Sequence, residues 1–305
     1  MGNTAENNFL VKDYLRQLLS RQLSKEALLW IDNSIRNAGD PDNEMKTYQS
    51  FARIPMVTGK NRINFTDALL KEASGIRKGW NPSSWTTDQV ARILLLISLP
   101  SRDGKEYKLR LRKFFDVADM NELETLCLGL PLYPFAEKHV DLALQGLRSN
   151  MKVVFEAIAL NNPYPAEHFD IHAWNQMVLK ALFVGSPIYK IHGVDERANL
   201  NLASMLSDYA HERWAAGRIV SPELWRCAGP FMNELIFKDI QRVLENKEEI
   251  QQEAGALACF MSKLSQAHKL LDNYAELKNK ILNREIYWQA IGKKWQESLE
   301  TVQKS

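Results

Sequence analysis

The chain reads as an all-α protein, built from irregular stacked helical hairpins with long C-terminal helices. Three observations carry that reading. Apolar residues recur at three- and four-residue spacings nearly everywhere, the period of one helix face. No series of alternating strands appears, and no Asn-Gly or Asp-Gly pair stands between alternating apolar runs. Start and stop signals cut the chain into segments of about 12–20 residues joined by short loops, which favours antiparallel neighbours. No strict repeat of fixed period is present. A HEAT/armadillo-like array is therefore a fold expectation, with a large closed helical bundle as its alternative.

The elements follow in order. Ser24 caps a helix running toward Gly39. Thr86 with Gln89 forms a capping box ahead of Val90, Ile93, Leu94 and Ile97, and Pro100 closes that helix. Asp119 with Glu122 opens the next in the same way. Ser149 or Asn150 opens a helix toward Leu160, and Asp170 opens one that ends at Gly185-Ser186-Pro187. Ser221-Pro222-Glu223 supplies a cap, a proline at the first helical position and an acid in the first turn. From Met232 to Ser305 there is no proline, and glycine occurs only at 255 and 292. That stretch predicts two or three long helices, with turns near Asn246 and Asp272-Asn273. One of their stripes holds Leu257, Phe260, Met261, Leu264, His268 and Leu271.

Length allows one large domain of 1–305. The alternative sets off an N-terminal helical subdomain, 1–80, at the Asn81-Pro82-Ser83-Ser84 boundary. The net charge of +2 gives no general attraction to nucleic acid or anionic membrane, so no nucleic-acid partner is expected. Lys105, Lys108, Arg110, Arg112 and Lys113 cluster, which is read as a solvated helix face rather than a phosphate site. Cys127, Cys227 and Cys259 are too scattered for a disulfide framework or a zinc site. No signal peptide is recognised, and Met1-Gly2 lacks the serine or threonine at position 6 that myristoylation wants. The longest apolar run, Ile93 to Leu99, is far short of a membrane span. A cytoplasmic protein without a transmembrane segment is expected.

Polar chemistry concentrates in 161–230, which holds four of the six histidines, three of the eight tryptophans and five of the eleven prolines. On the helix that starts near Asn201, Leu202, Met205, Leu206, Tyr209 and Arg213 share a side. Asp208 and Glu212 lie at its margin, one turn apart, and Asp208 and His211 are also neighbours. An acid, a base and a guanidinium there suit proton transfer or a polar ligand. In that reading His211 or Glu212 carries the proton, Asp208 orients His211, and Arg197, Arg213 or Arg218 holds an oxyanion. The competing and favoured reading is an ion network at a helix seam, with Arg213 over an aromatic ring. Asn175 edges the apolar face of the helix after Asp170. It is expected to hold a ligand or, in the favoured reading, the kinked loop Asn162 to Pro165. Asp195 and Arg197 form a charged turn whose arginine could reach Asp208 or Glu212. Trp214, with Trp174 and Trp225, is a ligand platform or, more often for such residues, a core anchor.

His168 and His172, with Glu167 and Asp170, invite a metal reading. Asp170 as a helix cap leaves His168 outside the helix, and the spacing lacks the His-Glu-x-x-His order, so no metal is assigned. His139, His192 and His268 are read as packing, loop or solubility residues. No dinucleotide fingerprint, Walker A loop or Gly-x-Ser-x-Gly elbow occurs, and no cofactor is expected.

Four strings carry a family resemblance: Asn162-Pro163-Tyr164-Pro165-Ala166-Glu167, the run from Ala173 to Phe183 (AWNQMVLKALF), the run from Asp208 to Arg218 (DYAHERWAAGR), and Ser221-Pro222-Glu223-Leu224-Trp225-Arg226. They resemble the EboA family across about 70 residues. The resemblance implies a bacterial gene cluster that moves prenylated or polyketide-like secondary metabolites, among them a scytonemin precursor, toward the periplasm. It implies as partners the other proteins of that cluster, including a membrane prenyltransferase of the UbiA type, and a small-molecule metabolite. No catalytic residue transfers with it. It points to a binding or scaffold protein. The alternative is a cofactor-independent enzyme acting by acid/base chemistry on a cyclitol-like or prenylated intermediate.

Overall fold

The computed structural model describes residues 4–38, 40, 43–100 and 102–304. Met1, Gly2 and Gly39 lie outside the described residues. Among the described residues there are 18 α-helices and no β-strand, and the chain is all-α. An isolated antiparallel bridge joins Arg62 and Thr86. Two compact units divide the chain, Met1–Phe169 and Asp170–Ser305, and the division falls inside the polar stretch 161–230.

The first unit carries α1 (Thr4–Ser20), α2 (Lys25–Ala38), α3 (Glu44–Thr58), α4 (Asp67–Ile76), α5 (Thr87–Ile97), α6 (Gly104–Val117), α7 (Met120–Leu128), α8 (Val140–Arg148), α9 (Lys152–Ala159) and α10 (Tyr164–His168). The apolar helix α5 is its centre, buried along its whole length and packed by α1, α2, α3 and α7. Its start is set as expected: the Gln89 side chain accepts from the Thr86 N–H at 3.1 Å. Asp119 and Glu122 cap α7 reciprocally, at 2.8 and 3.2 Å. Arg92 runs through this core. Its Nε donates to the Phe51 carbonyl at 3.1 Å and its Nη2 to Glu122 at 3.1 Å, so a buried charge is met on two sides. In the basic run, Lys108 and Arg112 both pair with Asp141, Arg110 with Glu106, and Lys113 with Glu44. His139 is fully buried and donates from Nε2 to the Pro134 carbonyl at 2.8 Å. Asn162 closes its own loop, donating to the Ala157 carbonyl and accepting from the Tyr164 N–H, both at 2.9 Å.

The second unit carries α11 (Ile171–Phe183), α12 (Leu200–Ala215), α13 (Leu224–Ala228), α14 (Glu234–Leu244), α15 (Glu249–Met261), α16 (Ser265–Asp272), α17 (Ala275–Leu282) and α18 (Trp288–Lys304). Here α15 is central, touching α13, α14, α16, α17 and α18. The run of small residues Ala254, Gly255, Ala256 and Ala258 on α15 is buried and lets its neighbours approach closely. Lys294 on α18 reaches the buried Glu253 of α15 at 2.7 Å.

The C-terminal region corrects the expectation of two or three long helices. Five helices occupy it, and four of them are 8–13 residues long. The breaks near Asn246 and Asp272-Asn273 are where they were expected. Two more were not signalled by glycine or proline. At 262–264 the Ser262 Oγ accepts from the Leu264 N–H, and the Ser262 carbonyl accepts from His268. At 283–287 Arg284 takes a left-handed φ of 60°, which a non-glycine residue adopts at a cost. The predicted stripe Leu257–Leu271 therefore crosses two helices, and Phe260 and Met261 are exposed.

Candidate functional site

Helix α12 is capped by Asn199, whose side chain accepts from the Leu202 N–H at 3.0 Å. Its apolar face buries Leu202, Leu206 and Ala210, which leaves Asp208 and Glu212 exposed and His211 half-buried. His211 does not turn to Asp208. Its Nε2 lies 2.6 Å from Oδ1 of Asp239 on α14, and Ser207 Oγ donates to the other Asp239 oxygen at 2.7 Å. The geometry has a simple cause. Asp208 points away from the helix seam, while Asp239 sits in it with its side chain only 6% exposed. A buried carboxylate needs donors on both oxygens, and Ser207 and His211, one turn apart on α12, supply them.

The end of α12 explains the rest of this run. Gly217 takes φ +65°, Arg218 N–H bonds back to the Arg213 carbonyl at 2.8 Å, and Gly217 N–H bonds to that of Trp214 at 3.0 Å. This is a Schellman closure, for which a left-handed glycine is the usual residue. The Arg213 guanidinium then grips the Ile219 carbonyl through Nη2 and Nε, at 2.9 and 3.2 Å. Arg213, expected from sequence over an aromatic ring, holds backbone instead. The cation over an aromatic is Arg242 of α14, 4.2 Å from the Trp214 ring centre. Trp214 also stacks on the fully buried Trp225, centroids 5.9 Å apart. Arg218 is exposed.

Asn175 and Asn199 exchange amide hydrogen bonds at 3.2 and 2.8 Å, and Asn199 Nδ2 also donates to the Arg197 carbonyl at 3.1 Å. Asn175 thus fixes the cap of α12; in the Asn162–Pro165 loop, Asn162 donates to the Ala157 and Cys127 carbonyls and accepts from the Tyr164 N–H. The Arg197 guanidinium lies 4.6 Å from the Trp174 ring centre. Asp195, in the same turn, holds Arg226 of α13. Arg226 Nε and Nη2 donate to its two oxygens at 2.6 and 2.5 Å, a bidentate pair.

That pair lines an open cavity of about 710 Å³. The other walls come from α15, α17, the 283–287 turn and the start of α18, and they are mainly apolar: Leu257, Phe260, Met261, Ile281, Ile286 and Trp288. Trp288 Nε1 is held by the Met261 sulfur at 3.0 Å. Of the residues predicted from sequence, only Asp195 is at this cavity. None of the others lines it. Sequence reasoning missed Arg226, Asp239 and the whole 257–289 wall.

Beside Arg226, Glu223 is buried and accepts from the backbone N–H groups of Ile188 and Tyr189, at 3.1 and 2.5 Å. It was expected as a first-turn acid of its own helix; it caps a neighbouring 3₁₀ turn instead. Burial pushes its carboxyl up to about 7, while the two N–H donors and Arg226 pull the other way. Gly292 of α18 passes this spot so closely that a β-carbon would lie 2.7 Å from Glu223 Oε1. Burial raises the thiols of Cys227 and Cys259 to about 12, which leaves neither a reactive thiolate. Among the described residues, no group of three or more His, Cys, Asp and Glu side chains is placed to hold a metal ion.

The run that bonds Arg213, Trp214 and Trp225 into one seam also carries the family strings. A family described as metabolite traffic protein EboA matches residues 11–229, more than two thirds of the chain. The chain belongs to the EboA family. No curated protein and no solved structure matches it. The EboA match includes Asp195 and Arg226 at the polar end of the cavity and stops before its apolar wall. Among the described residues of this EboA chain, no helix is long and apolar enough to cross a membrane.

Proposed function

We propose that this EboA-family chain is a non-catalytic binding and scaffold protein. It would support assembly and traffic of a secondary metabolite toward the periplasm, working from the cytoplasmic side with the other proteins of its cluster. One observation carries the reading. Among the described residues the cavity has a single carboxylate, Asp195, and both its oxygens are taken by Arg226, so no unpaired carboxylate or imidazole faces the space. A mainly apolar cavity of about 710 Å³, with two guanidinium groups and one paired carboxylate at its polar end, supports holding a molecule rather than transforming it. The stacking of α14 on α15, α15 on α16 and α16 on α17 supports a HEAT-like array of hairpins as the scaffold. The test is capture of cluster proteins on the purified chain, together with metabolite profiling of a deletion strain. Capture with the metabolite stranded in the deletion strain is expected. No capture and an unchanged profile would reject the reading.

One observation favours the enzymatic alternative. The buried Asp239 holds an imidazole that is 41% exposed, the arrangement of an orienting acid and a general base. Proton transfer at His211 would make His211→Gln strand the metabolite just as deletion does, with Glu212→Ala as the second arm. Complementation by both variants would remove this alternative.

A further inference from the structure

We propose that the cavity of the second unit binds an amphipathic small molecule with one anionic head group, carboxylate or phosphate, and an apolar body. The inference rests on the binding reading above and specifies its ligand. The head-group end is defined by charge. Two guanidinium groups, Arg226 and Arg284, line the cavity against one carboxylate, Asp195. Arg284 is exposed on its left-handed turn, and among the described residues its side chain has no hydrogen-bond or ion-pair partner. Arg226 has the opposite setting. Its side chain is 4% exposed, and its buried Nη1 has no hydrogen-bond partner among the described residues. A buried donor without an acceptor costs free energy that a ligand oxygen would restore.

The Asp195 side chain is 46% exposed although it holds a buried arginine. A carboxylate so placed is displaceable. It occupies the fork of Arg226 as a ligand's carboxylate or phosphate would, bidentately, and can swing into solvent when such a group arrives. Nε and Nη2 then become available to the incoming anion. The body end is apolar and aromatic, with Phe260, Trp288 and Ile286 as walls and the exposed Leu282 and Tyr287 at the rim. The volume lies inside the range of about 300–1,000 Å³ typical of small-molecule sites. Exposed apolar side chains around a concavity mark a surface that a ligand covers.

The test is competition for the cavity on the full chain. Anilinonaphthalene sulfonate, an aromatic anion, serves as fluorescent reporter. Decanoate, decyl phosphate, decanol and decylammonium compete with it. The two anions are expected to displace the reporter at concentrations about tenfold below decanol, with decylammonium weakest. The order of the two anions identifies the head group. Arg284→Gln, on an exposed turn, keeps the fold and is expected to remove most of the anion preference. Asp195→Asn is expected to tighten anion binding severalfold, because the competing charge is gone. Equal displacement by all four amphiphiles would overturn the head-group assignment and leave a merely apolar cavity. Displacement by none would overturn the site itself, while the scaffold reading would still stand or fall on partner capture. Weaker anion binding by Asp195→Asn would overturn the displacement step.

Discussion

Around Asp239 both carboxylate oxygens are taken by donors from one helix, and beside it Arg242, Trp214 and Trp225 stack in turn. Around Arg226 the pairing is left incomplete. One of its nitrogens has no partner, its acid is half in solvent, and the space beside it is open. Both centres lie in the second unit and both combine one buried charge with aromatic side chains. The difference shows that a dense run of acids, bases and aromatics is often dense because its members satisfy each other. A ligand site is recognised by what is left unsatisfied next to a volume. The seam should therefore respond to substitution through stability, and the cavity through binding.

The largest expected effect is in the seam. Trp225 is fully buried and stacks on Trp214. Trp225→Ala is expected to cost about 3–5 kcal/mol, from lost burial and the cavity left behind. Urea unfolding would measure it, and a loss under about 1 kcal/mol would show that the seam is not a packed core. Next comes Asp239→Ala, which strands Ser207 Oγ and His211 at once; about 2–3 kcal/mol is expected. His211→Ala should cost much less, since the imidazole is 41% exposed. Equal losses for the two variants would mean that the histidine, not the buried acid, organises the seam.

The all-α class and many helix starts were legible because they depend on residues within one turn of each other. Thr86–Gln89, Asp119–Glu122 and the Asp170 cap all follow from i to i+3 spacing. The partners that define the two centres were not legible. Asp239 lies 28 residues from His211, and Arg226 lies 31 from Asp195. Local spacing pointed to Asp208 for the first, and to nothing for the second. The breaks at 262–264 and 283–287 escaped for a related reason. They use a serine carbonyl and a left-handed arginine rather than glycine or proline. The cavity wall was invisible because its residues read as an ordinary amphipathic stripe. Only the extra turns carry Phe260 and Met261 out of the core.

Glu223, another buried acid of the second unit, makes stability depend on pH. Its carboxyl lies at about 7 in the folded chain against 4.5 ordinarily, so the folded state holds the proton more tightly than the unfolded state. The stability it contributes is complete below about pH 4.5 and is lost as pH rises through about 7, on the order of 3 kcal/mol across the window. Glu223→Gln imitates the protonated form, so its melting temperature should fall less than that of the unaltered chain between those pH values. Parallel melting curves would place the Glu223 carboxyl near its ordinary value. They would also show that its two N–H donors outweigh burial.

The smallest effect on stability is expected at the cavity rim, and there it discriminates best. Leu282 is 58% exposed, so Leu282→Ala removes little buried area and should shift stability by no more than about 0.5 kcal/mol. The same side chain lines the cavity mouth, where a ligand's apolar body would cover it. Reporter affinity should then fall severalfold, by the transfer free energy of the methylenes no longer buried against it. The ratio of the two effects is the quantity to watch. In the seam, substitution costs folding and leaves reporter affinity unchanged wherever the chain still folds. At the rim, the order is reversed. A Leu282→Ala chain that loses stability but keeps its affinity would make the rim a continuation of the core, and the cavity a packing defect.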